Sequence, residues 1–182
     1  EAYAIAKISA IKLCKFYNQQ YKCNFTSLQP TNLFGINDNF DLKSSHVLPA
    51  LLRKFHEAKI KKSKFVKIWG TGKAKREFMY VDDLADAIYF VFKKKVKKEI
   101  INVGSKFEFS IKELSLKIKK LVGYKGKIIF DKSKPDGTPR RIVDIGLLKK
   151  LGWRPRTNFD LNLKNTYDHF LQKHKHINKL KN

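Results

Sequence analysis

Glu1-Ala2-Tyr3-Ala4-Ile5-Ala6-Lys7 opens the chain, and the four-residue spacing of its tyrosine and lysine decides how the rest is read. On a helix that spacing places phenol and ammonium on one face, where a cation makes a phenol easier to ionise. A tyrosine phenol titrates near ~10, so one working as acid and base at neutral pH must be lowered by roughly 3 units, or about 4 kcal/mol. One lysine does not supply all of that, and a cationic cofactor ring bound beside the pair is expected to contribute. An isolated Tyr-x-x-x-Lys match also arises on solvated helix faces, where such a pair contributes only about 0.2–0.5 kcal/mol.

Outward from the pair, Ile5, Ile8, Ile11, Leu13 and Phe16 recur at helical spacing, predicting a helix from Tyr3 to about Gln20, followed by a short strand over Asn24 to Leu28. Pro30 to Ser45, rich in Asn, Asp and Ser, reads as a loop leading to a helix near His46 to Ile60. Strands are expected at Phe65 to Trp69, Glu77 to Val81, Ile100 to Val103 and Lys127 to Phe130, with helices from about Asp83 to Lys94 and near Ile145 to Leu151. Ser110-Ile111-Lys112-Glu113 is a capping box opening a helix that ends near Gly123. A last helix spans about Leu161 to Leu171, and 172–182 reads as a frayed basic tail. Alternating strands and helices predict an α/β fold.

Several segments carry a family resemblance. Tyr3 to Cys14, then Pro30-Thr31-Asn32-Leu33-Phe34-Gly35 and Arg76-Glu77-Phe78-Met79-Tyr80-Val81-Asp82-Asp83, resemble the extended short-chain dehydrogenase/reductases that act on nucleotide sugars. The Ser45 to Ala58 segment, Trp69-Gly70-Thr71-Gly72 and Lys134-Pro135-Asp136-Gly137-Thr138-Pro139-Arg140-Arg141 narrow this to the GDP-L-fucose synthases, from Glu1 to about Leu171. The resemblance implies the carboxy-terminal part of a Rossmann-like reductase with a smaller α/β substrate domain. Residues 1–45 and 77–105 would complete the cofactor-binding domain, while 46–76 and 106–171 would mainly form the nucleotide-sugar domain. It also implies NADP(H) as cofactor, a GDP-sugar substrate and a homodimer packed partly through the tyrosine helix; a cytoplasmic location is the expectation from the sequence itself, which shows neither a secretory leader nor a bilayer-spanning apolar run.

By the same resemblance Tyr3 donates a proton to the substrate's C4 oxygen, and Lys7 assists it and holds the cofactor ribose. Pro30, Thr31, Asn32 and Leu33 line the nicotinamide, with His46 close by. His46 is the acid that epimerisation needs, since an imidazole titrating near neutrality can return a proton to a carbon beside a ketone; the alternative is a histidine that merely caps its helix. Lys54, Trp69, Arg76 and Asp136 fall where the family contacts the GDP-sugar: cations for the diphosphate, an indole for stacking, a carboxylate for sugar hydroxyls. Lys54 departs from the arginine common in the family, keeping charge but losing the bidentate fork. Trp69 could instead be core. Arg140 and Arg141 read equally as a salt-bridged turn or as substrate contacts, His56 as helix surface, and His169, His174 and His176 as structural or solvated.

The nine glycines are scattered, and no G-x-G-x-x-G or G-x-x-G-x-x-G string occurs. The upstream serine or threonine and the epimerisation cysteine of the family are also missing. The chain therefore reads as lacking an amino-terminal cofactor-binding segment, and residues 1–182 alone are expected not to turn over substrate.

At 182 residues the chain can bury one sizeable core or parts of two. Forty basic against 16 acidic residues give a formal charge of +24. Such a charge raises a lysine-rich polyanion-binding module as an alternative. The excess is nearly all lysine, however, and the only arginines are Arg53, Arg76, Arg140, Arg141, Arg154 and Arg156, whereas arginine suits base edges best. Weak, salt-labile, sequence-indifferent binding of polyanions is expected, with no specific nucleic-acid partner. Cys14 and Cys23 lack metal-ligand spacing and are expected reduced; no apolar run approaches the ~20 residues that span a bilayer. Other extended reductases, a 4,6-dehydratase or a 4-epimerase, remain an enzyme alternative, as does a decayed remnant.

Overall fold

The structure is a computed structural model that describes residues 1–175. Helix α1 (Ala2–Tyr21) is stopped by Lys22, which adopts the left-handed conformation at φ 55°. Strand β1 (Ser27–Pro30) begins later than the apolar pattern suggests. Residues 24–26 are instead tied to their surroundings: Asn18 Nδ2 donates to the Phe25 carbonyl and its Oδ1 accepts from the Phe25 amide, both at 2.8 Å. Thr26 Oγ1 donates to the Val96 carbonyl.

Strand β2 (Asn32–Phe34) follows at once, inside the stretch expected to be loop. Its three residues carry no strand signal of their own and are extended because they pair in parallel with β4 (Lys75–Tyr80), Asn32 opposite Phe78. Helix α2 (Val47–Ile60) has His46 as its N-cap residue. Strand β3 (Phe65–Trp69) pairs in parallel with β7 (Lys127–Asp131). Helix α3 (Val81–Lys93) leads to β5 (Ile100–Val103), which pairs in parallel with β1.

The short strand β6 (Glu108–Ser110) runs antiparallel to β4 and then opens helix α4 (Ile111–Val122). The expected capping box forms in full: Glu113 N–H donates to Ser110 Oγ, and the Ser110 N–H donates to Glu113 Oε2. Gly123 closes the helix at φ 73°. Strand β8 (Arg140–Arg141) lies parallel to β4, and helices α5 (Gly146–Lys150) and α6 (Phe159–Lys173) complete the order. Because α6 runs to Lys173, 172–173 are helical rather than frayed; the remainder of the expected tail, with His176, lies outside the described residues.

Strand β4 divides the interior. With a period of two, Phe78 and Tyr80 face a cluster that includes Phe34, Leu52, Phe55, Ile118 and Phe170. Met79 faces the other way, into Ala87, Val91, Ile101, Val103, Leu148 and Trp153. A fully buried side chain of this size contributes about 1.5–3 kcal/mol, so the two clusters hold the loops at the ends of β1, β2 and β4 against stiff walls. Trp153 Nε1 donates to Asp86 at 2.7 Å, and Asp83 accepts from the Arg156 amide and the Thr157 hydroxyl, which pins residues 153–157 to α3.

His56 is not on the helix surface as its sequence position suggests but 3% exposed, on the α2 face that packs against α6. Its Nδ1 lies 2.8 Å from the Tyr167 hydroxyl and its ring packs edge-on to Phe170. Burial is affordable because the ring's polar end has a partner. The same burial, with Asp168 nearby, pushes the Tyr167 phenol up to about 12.

Candidate functional site at the carboxyl ends of the parallel strands

Parallel α/β sheets take ligands at the carboxyl ends of their strands. Here those ends are Pro30 on β1, Val103 on β5, and the continuation of each into Thr31 and Gly104. Helix α1 is tied near the starts of these strands. Its Asn18 bonds Phe25 just before β1, and Lys12 and Lys15 reach Glu99 just before β5, at 3.9 and 3.3 Å. Near the amino end of α1, Lys7 Nζ lies 5.5 Å from the centre of the Tyr3 ring. Tyr3 is 76% exposed, and no residue of α1 is buried, although Ile5, Ile8, Leu13 and Phe16 give it an apolar side.

The Pro30-Thr31-Asn32-Leu33 segment is fixed at one point on β4. Thr31 Oγ1 and Asn32 Nδ2 both donate to the Glu77 carbonyl, at 3.1 and 2.8 Å, and the Thr31 amide donates to Val103. These bonds use the Thr31 hydroxyl and one N–H of the Asn32 amide, which fixes the orientation of both side chains. Leu33 is half-buried against the Met79 cluster.

His46 is exposed at the amino end of α2, with extended backbone and no side-chain cap bond. The partner charge it faces is Asp38, whose carboxyl is raised chiefly by burial, with the amide of Asn39 and the charge of His46 opposing. Lys54 is half-buried on α2, one position after Arg53, which bonds Glu57 at 2.7 Å and the Phe40 carbonyl.

Trp69, Arg76 and Asp136 converge on one loop cluster. Trp69 is 67% exposed, which rules out a core role, and Lys134 Nζ sits 5.8 Å from its ring. Asp136 accepts from the Thr71 amide and the Thr71 hydroxyl, and these bonds hold its carboxyl below the usual carboxylate range. The contact demands glycine next door: at Gly70, with φ +80°, an added Cβ would lie 2.2 Å from Asp136 Oδ1. Arg76 Nη1 donates to the Thr138 carbonyl at 2.6 Å. No hydrogen bond or ion pair among the described residues joins His46 or Lys54 to this cluster.

For Arg140 the structure selects one of the two readings open in the sequence, and for Glu77 it shows a role the sequence did not assign. Arg140 is bound to Glu108 by two bonds of 2.6 and 3.0 Å, which is the salt-bridged alternative and lowers the Glu108 carboxyl. Glu77 is the larger omission: it is 3% exposed and anchors segments on both sides of β4. The available signal was a carboxylate set between Arg76 and the apolar run Phe78-Met79-Tyr80, on a strand too buried to leave it in water.

Residues 1–104 match the NAD dependent epimerase/dehydratase family. Over 171 residues the chain is 52% identical to a GDP-L-fucose synthase of Sinorhizobium fredii, covering 94% of this chain and 54% of that protein. A GDP-L-fucose synthetase of Naegleria fowleri bound to NADP superposes with a TM-score of 0.85 at 31% identity, covering 96% of this chain and 56% of the other. A GDP-6-OMe-4-keto-L-xylo-heptose reductase from C. jejuni gives 0.84 at 35% identity, covering 93% and 60%. The chain spans about half the length of the curated relatives it matches. No helix among the described residues is long and apolar enough to cross a membrane.

Proposed function

We propose, for a chain that belongs to the NAD dependent epimerase/dehydratase family, that it serves as the carboxy-terminal half of an NADPH-dependent enzyme converting GDP-4-keto-6-deoxy-D-mannose to GDP-L-fucose. The observation that supports this reading is the pairing of Tyr3 and Lys7 on one face of α1, with the Lys7 ammonium over the phenol ring. The names of the relatives at 46–52% identity supply the substrate class.

The residues present fit a nicotinamide dinucleotide: a phenol and an ammonium for a ribose, and the Asn32 carbonyl for a carboxamide. NADPH, when bound, supplies the hydride for C4 of the keto sugar. Tyr3 delivers the proton to the C4 oxygen, so that hydride and proton together turn the ketone into an alcohol. Lys7 stabilises the phenolate left behind and holds the ribose. His46, exposed at the amino end of α2, returns to C3 and C5, the ring carbons next to the ketone, protons to replace those that epimerisation first removes. Lys54 and Arg76 answer the diphosphate, Trp69 offers a stacking face, and Asp136 fixes the Thr71 loop beside that face.

On this reading 1–45 and 77–105 belong to the cofactor-binding domain, and 46–76 with 106–171 mainly to the sugar domain. The bare apolar side of α1 supports a place for the missing amino-terminal segment and a second copy of the enzyme. The reading is tested in the polypeptide completed with the amino-terminal half of the 52%-identical relative. NADPH-dependent formation of GDP-L-fucose is expected. His46→Asn should abolish epimerisation and keep ketone reduction; an unchanged product would instead favour a simple reductase, dehydratase or 4-epimerase.

A further inference from the structure

Glu77 has both of its functional ends occupied in different directions. Its backbone carbonyl accepts from Thr31 Oγ1 and Asn32 Nδ2, the segment assigned above to the nicotinamide. Its side chain crosses to the other side of the strand, where Oε2 accepts from the Val143 amide at 3.1 Å. Val143 follows directly on β8 and Ile142, and β8 is the strap that brings Arg140 and Arg141 alongside Lys75 and Arg76. The carboxylate reaches that strap through a gap kept open by glycine: a Cβ on Gly104 would meet Glu77 Oε1 at 2.7 Å and Val143 Cγ2 at 2.6 Å. Oε1 itself is buried, with only a weak contact from the Ser105 amide. Leaving a carboxylate oxygen so placed is costly, and a residue kept for stability alone would be better apolar.

We propose that Glu77 is a positioning residue: its carbonyl sets the cofactor-lining segment, its carboxylate sets the Arg140–Val143 strap, and one residue thereby fixes the distance between cofactor and sugar sites. This rests on the proposed reduction of a GDP-sugar. Within it, the two ties separate cleanly, because a side-chain substitution cuts only the strap and leaves the carbonyl bonds to Thr31 and Asn32 in place. Burial pushes the Glu77 carboxyl above the ordinary range and Glu108 adds to this, so a neutral glutamine is the close mimic.

The test compares Glu77→Gln, Glu77→Leu and Gly104→Ala in the complete enzyme, reading KM for the GDP-keto sugar and for NADPH separately, with exchange of the Val143 amide in parallel. Glu77→Leu and Gly104→Ala should raise the sugar KM about tenfold or more and speed Val143 exchange; the NADPH KM should stay within about twofold in Glu77→Leu, on which alone that comparison is made because Gly104 itself continues β5 into the cofactor end. Glu77→Gln should restore both readouts. Should Glu77→Leu fail to fold, Gly104→Ala against Glu77→Gln makes the same comparison of sugar KM and exchange. An unchanged sugar KM, or two KM values that rise together in Glu77→Leu, overturns the proposal. If the unsubstituted enzyme does not reduce the keto sugar, the functional reading fails on its own. Val143 exchange then still decides whether the tie exists, and equal exchange in all variants overturns it.

Discussion

At the residue scale, the Asp136 carboxylate shows how an exposed group is put to work. Two bonds from Thr71 depress its titration. A carboxyl lowered in the folded state contributes stability above the ordinary aspartate value of ~3.9, and that contribution is lost as pH falls through the lowered value. Thr71→Val removes the hydroxyl bond, so the Asp136 carboxyl followed by NMR should titrate higher, back toward the ordinary value. An unmoved titration would show that the Thr71 hydroxyl is not what holds it. Glu77 runs with the opposite sign: raised by burial, it favours the fold most when protonated, and its contribution declines as pH climbs through the raised value. Tyr3 and Lys7 stand out in the sequence by their spacing, and Asn32 and His46 by the family resemblance. Glu77 and Thr71 do not, since their roles lie in partners 66 and 65 positions away.

Elements set by local chemistry were legible, and elements set by pairing were not. The Ser110 capping box and the Gly123 stop are written within four residues of each helix end, and α4 forms where they indicate. Ser110→Ala removes the acceptor for the Glu113 amide and should cost about 1 kcal/mol in a denaturant melt. A loss below a few tenths would mean that tertiary packing alone holds that end. In contrast, β2, β6 and β8 are two or three residues long and carry no alternation; each exists because β4 offers it a pairing edge. His56 escaped for a related reason. Its position on α2 looks solvent-facing until α6 brings Tyr167 to it from 111 residues away.

For the whole molecule, charge and fold answer different questions. The +24 balance promises attraction to any polyanion, with affinity falling linearly in log salt. Mixed-sequence single-stranded DNA oligomers should therefore bind weakly, alike within about twofold, and be released as salt rises. Sequence-selective binding at physiological salt would favour the polyanion-binding alternative. The fold says where chemistry could occur: parallel strands β1 and β5 end side by side, and α1, which carries Tyr3 and Lys7, buries nothing of its own.

The account stands on the phenol of Tyr3 as the proton donor to a keto-sugar oxygen. Single-turnover reduction of GDP-4-keto-6-deoxy-D-mannose by NADPH, measured with Tyr3→Phe in the complete enzyme, tests it most directly. A general acid is worth about 10²–10⁴-fold, so the chemical step should slow by at least about 100-fold while NADPH still binds. Reduction at the unsubstituted rate would contradict it.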